Sequence, residues 1–329
     1  MLTNRLMKIL AIITTFGAYV MIVLGVLVTT TGSGKGCGNS WPFCHGEIIP
    51  GTLTIQGVTE YSHRIMSSAD GFLVLVLTVW SWLAYRKDRL IKLYAFLSLF
   101  FVIAQGALGA LTVIYEGTFL LNWLLSIHFG LSLIAFASVV LLTARLFELG
   151  RSRLVKAPLP ISKGLQFSLW GLTIYTYLVV YTGAYVQHTG AVGGCGYQFP
   201  GCGSTYLPSF TQLAGIQVLH RYAAGLLWVW TLLLLIVVLR RYRTQRVLVA
   251  GLWWSLALVT LQAISGITNV LTMGQMVLAL IHATLVSLYF SVLSYLCAQV
   301  GRPGRHMQAE QEQPVAGQPG SPAIASRHG

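Results

Sequence analysis

The chain has 329 residues, 55% of them hydrophobic and 9% charged, with a net charge of +13. So little charge excludes an ordinary water-soluble domain, in which about a quarter of the residues are charged, and describes a membrane protein. The basic balance alone would suit a nucleic-acid partner, but the order of the basic residues along the chain argues against one.

Eight apolar runs recur, at approximately 8–29, 61–84, 92–114, 123–147, 165–187, 216–239, 247–271 and 275–300. Each is long enough to cross about 30 Å of hydrocarbon as a helix rising about 1.5 Å per residue. The first run exceeds a signal-peptide core of about 7–15 residues and lacks an Ala-x-Ala-like cleavage site, so it reads as a retained span. Outside it comes TTTGSGKGCGNSWPFC, in which Cys37 and Cys44 are separated by six residues. The second run begins near Glu60, the third ends near Tyr115, and the fourth starts near Trp123 with His128 in its second turn. A basic segment at 148–163 containing Pro158 and Pro160 then divides the chain into halves 1–156 and 157–300. The remainder, 301–329, rich in Gln, Pro, Gly and Ser, cannot bury a core and reads as a disordered tail.

The basic residues fall on alternate connections. They are Arg5 and Lys8; Arg86, Lys87, Arg89 and Lys92; Arg145, Arg151, Arg153, Lys156 and Lys163; Arg240, Arg241, Arg243 and Arg246; and Arg302, Arg305 and Arg327. The positive-inside rule assigns these segments, both termini included, to the cytoplasmic side of a cell membrane. Only Lys35, Arg64 and Arg221 remain for the outer side. The net charge is therefore a topology signal, and no nucleic-acid partner is expected.

The second half replays the first. Thr31, Gly32, Gly36, Cys37, Gly38, Pro42 and Cys44 map onto Thr189, Gly190, Gly194, Cys195, Gly196, Pro200 and Cys202, and Gln105, Gly109 and Val113 recur as Gln262, Gly266 and Val270. An even number of spans per repeat preserves orientation, so a pseudo-two-fold axis along the membrane normal should relate the halves. The expected fold is an all-α integral membrane protein, eight transmembrane helices forming two pseudo-symmetric four-helix bundles. Gly106, Gly109 and Ala110 read as helix-packing residues.

The stretch EYSHR, Glu60 to Arg64, is repeated as QVLHR, Gln217 to Arg221, and each is followed two spans later by one more histidine, His128 and His282. Spans two, four, six and eight run in one direction with their histidines near the start, so the four imidazoles lie at similar depth in the outer half of the bilayer. Facing imidazoles inside a helical bundle suit axial coordination of a haem iron. A lone intramembrane histidine more often makes an interhelical hydrogen bond, but two duplicated pairs point to function. Zinc is disfavoured, because no carboxylate or cysteine lies at the depth needed to complete tetrahedral sets in both halves.

Arg64 and Arg221, each next to a histidine, suit either a haem propionate or snorkelling to lipid phosphate. His45 and His188 fall in outer loops and His306 and His328 in the tail, and all four read as surface residues. Glu60 precedes His63 by three residues and so shares its helix face. It suits proton acceptance or stabilisation of positive charge beside a macrocycle, against the plainer reading of an acid in a first helical turn. Its copy, Gln217, keeps the size and removes the charge, as expected if one half alone does acid–base work. On the oxidising face Cys37 with Cys44, and Cys195 with Cys202, suit disulfides. The second reads as a structural staple, while the first, above Glu60, is either structural or redox-active. Cys297 reads as a packing residue.

Over residues 1–300 the sequence resembles the haem A synthase family, on Glu60-x-x-His63-Arg64, His128, Gln217-x-x-His220-Arg221, His282 and the Cys37/Cys44 pair. The resemblance implies stepwise oxidation of a ring methyl of haem O to a formyl group, giving haem A for terminal oxidases. It implies substrate haem between His63 and His128, Glu60 essential, and a haem B cofactor between His220 and His282. It links Cys37 and Cys44 to activity, and raises a haem O synthase, an electron donor and a second copy of the chain as partners. With both axial positions filled, either a histidine leaves the iron or chemistry at the ring edge proceeds by electron withdrawal and water addition; both routes stay open. The competing readings are a bis-histidine b-type cytochrome relaying electrons from quinol, and a transporter built on parallel repeats.

Overall fold

The structure, a computed structural model, describes residues 2–48, 50–115, 117–118, 120–151, 159, 161–203 and 208–301. Eight helices account for nearly all of them: α1 Leu2–Thr30, α2 Ile55–Ala84, α3 Arg89–Ile114, α4 Leu121–Arg151, α5 Lys163–His188, α6 Leu213–Arg241, α7 Arg246–Leu271 and α8 Met276–Val300. No β-strand occurs among the described residues. Beyond Gly301 the expected disordered tail lies outside the described residues, as do Pro158 and Pro160 of the expected boundary.

Local chemistry accounts for several helix starts. Thr54 accepts from the Gly57 N–H at 3.1 Å, Asp88 from Leu90 and Ile91 at 2.9 and 3.0 Å, and Ser162 from Leu165 at 3.3 Å, each satisfying donors that a helix cannot satisfy itself. Asp88 also pairs with Arg145 of α4 at 2.9 Å, tying the α2–α3 turn to the same end of the neighbouring helix.

Seven of the eight helices are long and apolar enough to cross a membrane. The exception is α5, which is 26 residues long but carries Gln166, Thr173, Thr176, Thr182 and four tyrosines. Several of its polar groups find partners inside the protein. Gln166 donates to the Val300 carbonyl at 2.8 Å, Tyr175 to that of Ala223 at 3.1 Å, and Tyr177 bonds to Tyr181 at 2.6 Å. A helix placed among protein neighbours can carry polar atoms that a lipid-facing helix cannot.

Helix α1 packs on α2 and α4, and α3 on α2 and α4. In the second half α5 packs on α6 and α8, and α7 on α6 and α8. Between the halves, α4 meets α5 and α8, and α1 meets α8. Met7, Leu77, Ile91 and Leu142 pack in one core cluster, and Leu172, Leu235, Leu252 and Leu293 in another. Leu133, Ala137, Val180 and Phe290 fill the seam. Lipid tails are as apolar as these side chains, so close packing and interhelical hydrogen bonds, worth about 0.6 kcal/mol each, hold such helices together. Thr15 to Thr143 at 2.8 Å and Thr231 to Tyr289 at 2.7 Å are bonds of this kind.

The two cysteine-bearing loops fold alike. Each contains a short 3-10 turn, Ser33–Lys35 or Ala191–Gly193, entered through a left-handed glycine, Gly32 or Gly190. Disulfides join Cys37 to Cys44 and Cys195 to Cys202. Gly36 and Gly194 lie on the first turns of α2 and α6 so closely that an added Cβ would stand 2.3 Å from the Gln56 backbone and 2.6 Å from that of Leu213. The repeat seen in the sequence is thus a repeat of backbone contacts, bringing each loop down onto the helix that carries a histidine.

Candidate functional site

Glu60 and Gln217 occupy equivalent places beneath these loops, and both are buried, at 4% and 2% exposure. Glu60 Oε2 accepts the Cys37 N–H at 2.8 Å, and Gln217 Oε1 accepts the Cys195 N–H at 2.9 Å. This half of their work is common. The difference lies on the other side-chain atom. Gln217 Nε2 donates to the Val192 carbonyl at 2.7 Å, whereas Glu60 Oε1 accepts from Arg64. One half therefore holds a buried ion pair where the other holds a neutral amide.

Both arginines reach back to the loops. Arg64 Nη1 donates to the Ser40 and Phe43 carbonyls, the latter at 2.7 Å. Arg221 Nη1 donates to Pro200 and Gly201 at 3.2 and 3.0 Å, and its Nη2 to Gln198 at 3.0 Å. Three of the five N–H donors of a guanidinium are engaged in each case, by two carbonyls and Glu60 for Arg64 and by three carbonyls for Arg221. In Arg221 the buried Nε has no partner among the described residues.

The four histidines are half-buried. His128 interacts electrostatically with His63 and His282 with His220, so each expected pair shares one neighbourhood. Each imidazole also lies against a glycine of the preceding helix, a feature the sequence reading missed apart from treating Gly109 as a packing residue. A Cβ added at Gly25 would come 3.4 Å from His63, at Gly109 3.6 Å from His128, at Gly183 2.8 Å from His220 and at Gly266 3.0 Å from His282. The duplication at nearly one offset was the signal that could have exposed them: Gly25 and Gly183 repeat each other, as do Gly109 and Gly266.

The halves part company at Nδ1. His220 Nδ1 is 2.8 Å from Thr182 Oγ1, and His282 Nδ1 is 2.9 Å from Ser265 Oγ. Both hydroxyls already donate, to the Val179 carbonyl at 2.7 Å and the Gln262 carbonyl at 2.9 Å. A hydroxyl has one proton, so each oxygen accepts from the ring. Nδ1 carries the hydrogen and Nε2 keeps its lone pair, the tautomer that a metal-binding imidazole needs. This pair therefore fits an iron-porphyrin ligand set. The Nδ1 atoms of His63 and His128 are buried without a partner among the described residues. They are the same donor type in the same repeat position, left without the outer contact.

His188 departs from the surface reading. It is the last residue of α5, half-buried, its Nδ1 is buried without a partner among the described residues, and it interacts electrostatically with His128. Its placement follows from α5 running to the end of the seam beside α4, where Trp123 and Tyr185 rings lie 4.6 Å apart. His45 is exposed, as expected. His306 and His328 lie outside the described residues. Cys37 and Cys44 are fully buried, which removes solvent exposure as a source of reducibility. Cys297 is buried in the second-half core, its sulfur 3.2 Å from Thr173 Oγ1.

Fold and site together define a polytopic helical membrane protein with two duplicated histidine pairs beneath disulfide-closed loops, and an acid in one copy only. The chain matches the COX15-CtaA family, described as cytochrome oxidase assembly protein, over residues 8–294. It is 44% identical over 294 residues to a haem A synthase of Bacillus mycoides (strain KBAB4), covering 89% of this chain and 93% of that one. Haem A synthases of Bacillus cereus strains 03BB102 and AH187 match over the same shares at 44% and 43%. The chain belongs to the COX15-CtaA family.

Proposed function

We propose that the chain is a haem A synthase, a membrane oxidoreductase that converts a ring methyl of haem O to the formyl group of haem A. The observation that carries this is 44% identity across 294 residues to proteins bearing that name. The proposed architecture is two pseudo-symmetric four-helix bundles, α1–α4 and α5–α8, supported by the matching order of helix neighbours in each half. Domain limits of 1–156 and 157–300 rest on the basic, proline-containing segment 148–163, and both termini in the cytoplasm and a place in the cell membrane on the charge asymmetry.

In this reading His63 and His128 receive the substrate haem, and His220 and His282 hold a haem B cofactor, which supplies electron-transfer chemistry when bound. Glu60 is the catalytic residue: a buried carboxylate one helical turn before His63, positioned by the Cys37 N–H and Arg64, to accept a proton or stabilise positive charge at the ring edge. Arg64 and Arg221 fasten the loops and have two N–H donors each left for a propionate. The Cys37–Cys44 disulfide holds the Cys37 N–H over Glu60, and Cys195–Cys202 does the same over Gln217. A haem O synthase, an electron donor and a second copy of the chain are proposed partners.

The decisive experiment supplies haem O and a reductant to membranes containing the protein and identifies the extracted haem. Hydroxylated and formyl haems are expected. Recovery of unaltered haem O alone, from protein with intact haem spectra, would instead support an electron relay from quinol through paired histidines.

A further inference from the structure

The two histidine pairs differ in what stands behind them, and the difference lies in two repeat positions. Thr182 immediately precedes Gly183 and Ser265 immediately precedes Gly266; at the same places before Gly25 and Gly109 the first half has Leu24 and Leu108. The hydroxyl of each polar residue takes the Nδ1–H of a histidine while donating its own proton to a backbone carbonyl. Leucine can do neither, and the corresponding Nδ1 atoms are buried and unpartnered. The glycine contacts follow the same division, tight against His220 and His282 and looser against His63 and His128.

We propose that Thr182 and Ser265 are positioning residues that lock His220 and His282 onto a permanently bound haem, and that Leu24 and Leu108 leave His63 and His128 free to release theirs. The proposal rests on the reading that each histidine pair takes a haem. A hydroxyl acceptor fixes the ring's tautomer and rotation and makes its Nε2 a better donor to iron. The closer approach of the Gly183 and Gly266 backbones leaves His220 and His282 less room to swing than Gly25 and Gly109 leave His63 and His128. An imidazole whose N–H is buried without an acceptor carries an uncompensated desolvation cost, which rotation of the ring can relieve. A haem held by two such rings is easier to exchange, as a substrate that must leave as product requires. The asymmetry thus divides cofactor from substrate independently of Glu60.

The test follows haem transfer from the purified holoprotein to an excess of haem-scavenging apoglobin. Haem B is distinguished from haem O or A by its pyridine haemochrome, with midpoint potential and low-spin electron paramagnetic resonance read in parallel. The parent protein should release haem B much more slowly than haem O or A. Thr182→Val and Ser265→Ala should each speed haem B release about 10-fold or more, raise its midpoint potential and shift its resonance, while Thr182→Ser behaves as the parent. Leu24→Thr and Leu108→Ser should slow release from the first half. Unchanged release, potential and resonance in Thr182→Val and Ser265→Ala would overturn the proposal, as would a Thr182→Ser variant indistinguishable from Thr182→Val. Should those variants fail to assemble, unchanged release in Leu24→Thr and Leu108→Ser overturns it instead. His220→Ala is the control on the underlying reading: retention of haem B there removes the ligand assignment itself.

Discussion

The cysteine-bearing loop of the first half and its copy in the second rest on their helices in the same way, and differ in the side chain they bury, Glu60 in one and Gln217 in the other. Cys37 and Cys195 each donate a backbone N–H to the side chain at the same helical position, Glu60 or Gln217. Capping that N–H needs only an oxygen, which both residues have. The charge is therefore surplus to the structural task, and it is kept in one half, balanced by Arg64. A duplicated scaffold makes this separation visible, because the second copy records what the fold requires of that position without the charge.

The largest effect is expected from removing that surplus. Glu60→Gln copies the residue the protein already tolerates in the other half, so folding and haem spectra should persist while turnover falls about 100-fold or more, the range lost with a general acid or base. Measured conversion of haem O decides, and full activity would end the assignment of the catalytic half. The reverse change, Gln217→Glu, should leave conversion unaltered in direction and site. His220→Ala should come next, abolishing the cofactor's Soret signal, while His63→Ala should spare it and lose haem O binding.

Smaller effects sharpen the comparison through the glycines. Gly183→Ala and Gly266→Ala place a methyl 2.8 and 3.0 Å from an imidazole and should reduce haem B content of the purified protein. Gly25→Ala and Gly109→Ala, with 3.4 and 3.6 Å available, should be close to neutral in the same measurement. The smallest change is expected in the second loop. Opening Cys195–Cys202 with a Cys202→Ser substitution should lower stability by about 2 kcal/mol, the order expected for closing a short loop, readable as a lower unfolding midpoint with haem O conversion largely retained. The same change at Cys44 should also reduce conversion, because the Cys37 N–H there meets the carboxylate proposed as catalytic, Glu60.

Much of this was legible from residue order. Apolar run length is set by bilayer thickness, so the helices and their approximate limits follow from composition alone, including α5, whose tyrosines and threonines dilute its apolarity without breaking it. The Glu60/Gln217 and His63/His220 correspondences needed only a repeat offset, and His128/His282 the matching order of spans. His188 was misread because a histidine at a helix end is indistinguishable in sequence from one in a loop; its burial depends on α5 ending against α4.

By itself the amino-acid sequence determined the long apolar helices and the duplication, and singled out the repeated histidines, because these depend on hydrophobicity and on distances along the chain. Which hydroxyl accepts from which imidazole, which glycine makes room for it and where the arginines point were decided only by tertiary structure. Those contacts join helices whose residues lie far apart in the chain, and whether a threonine turns toward a ring or toward its own helix is a question of rotamer and neighbour that no local pattern encodes.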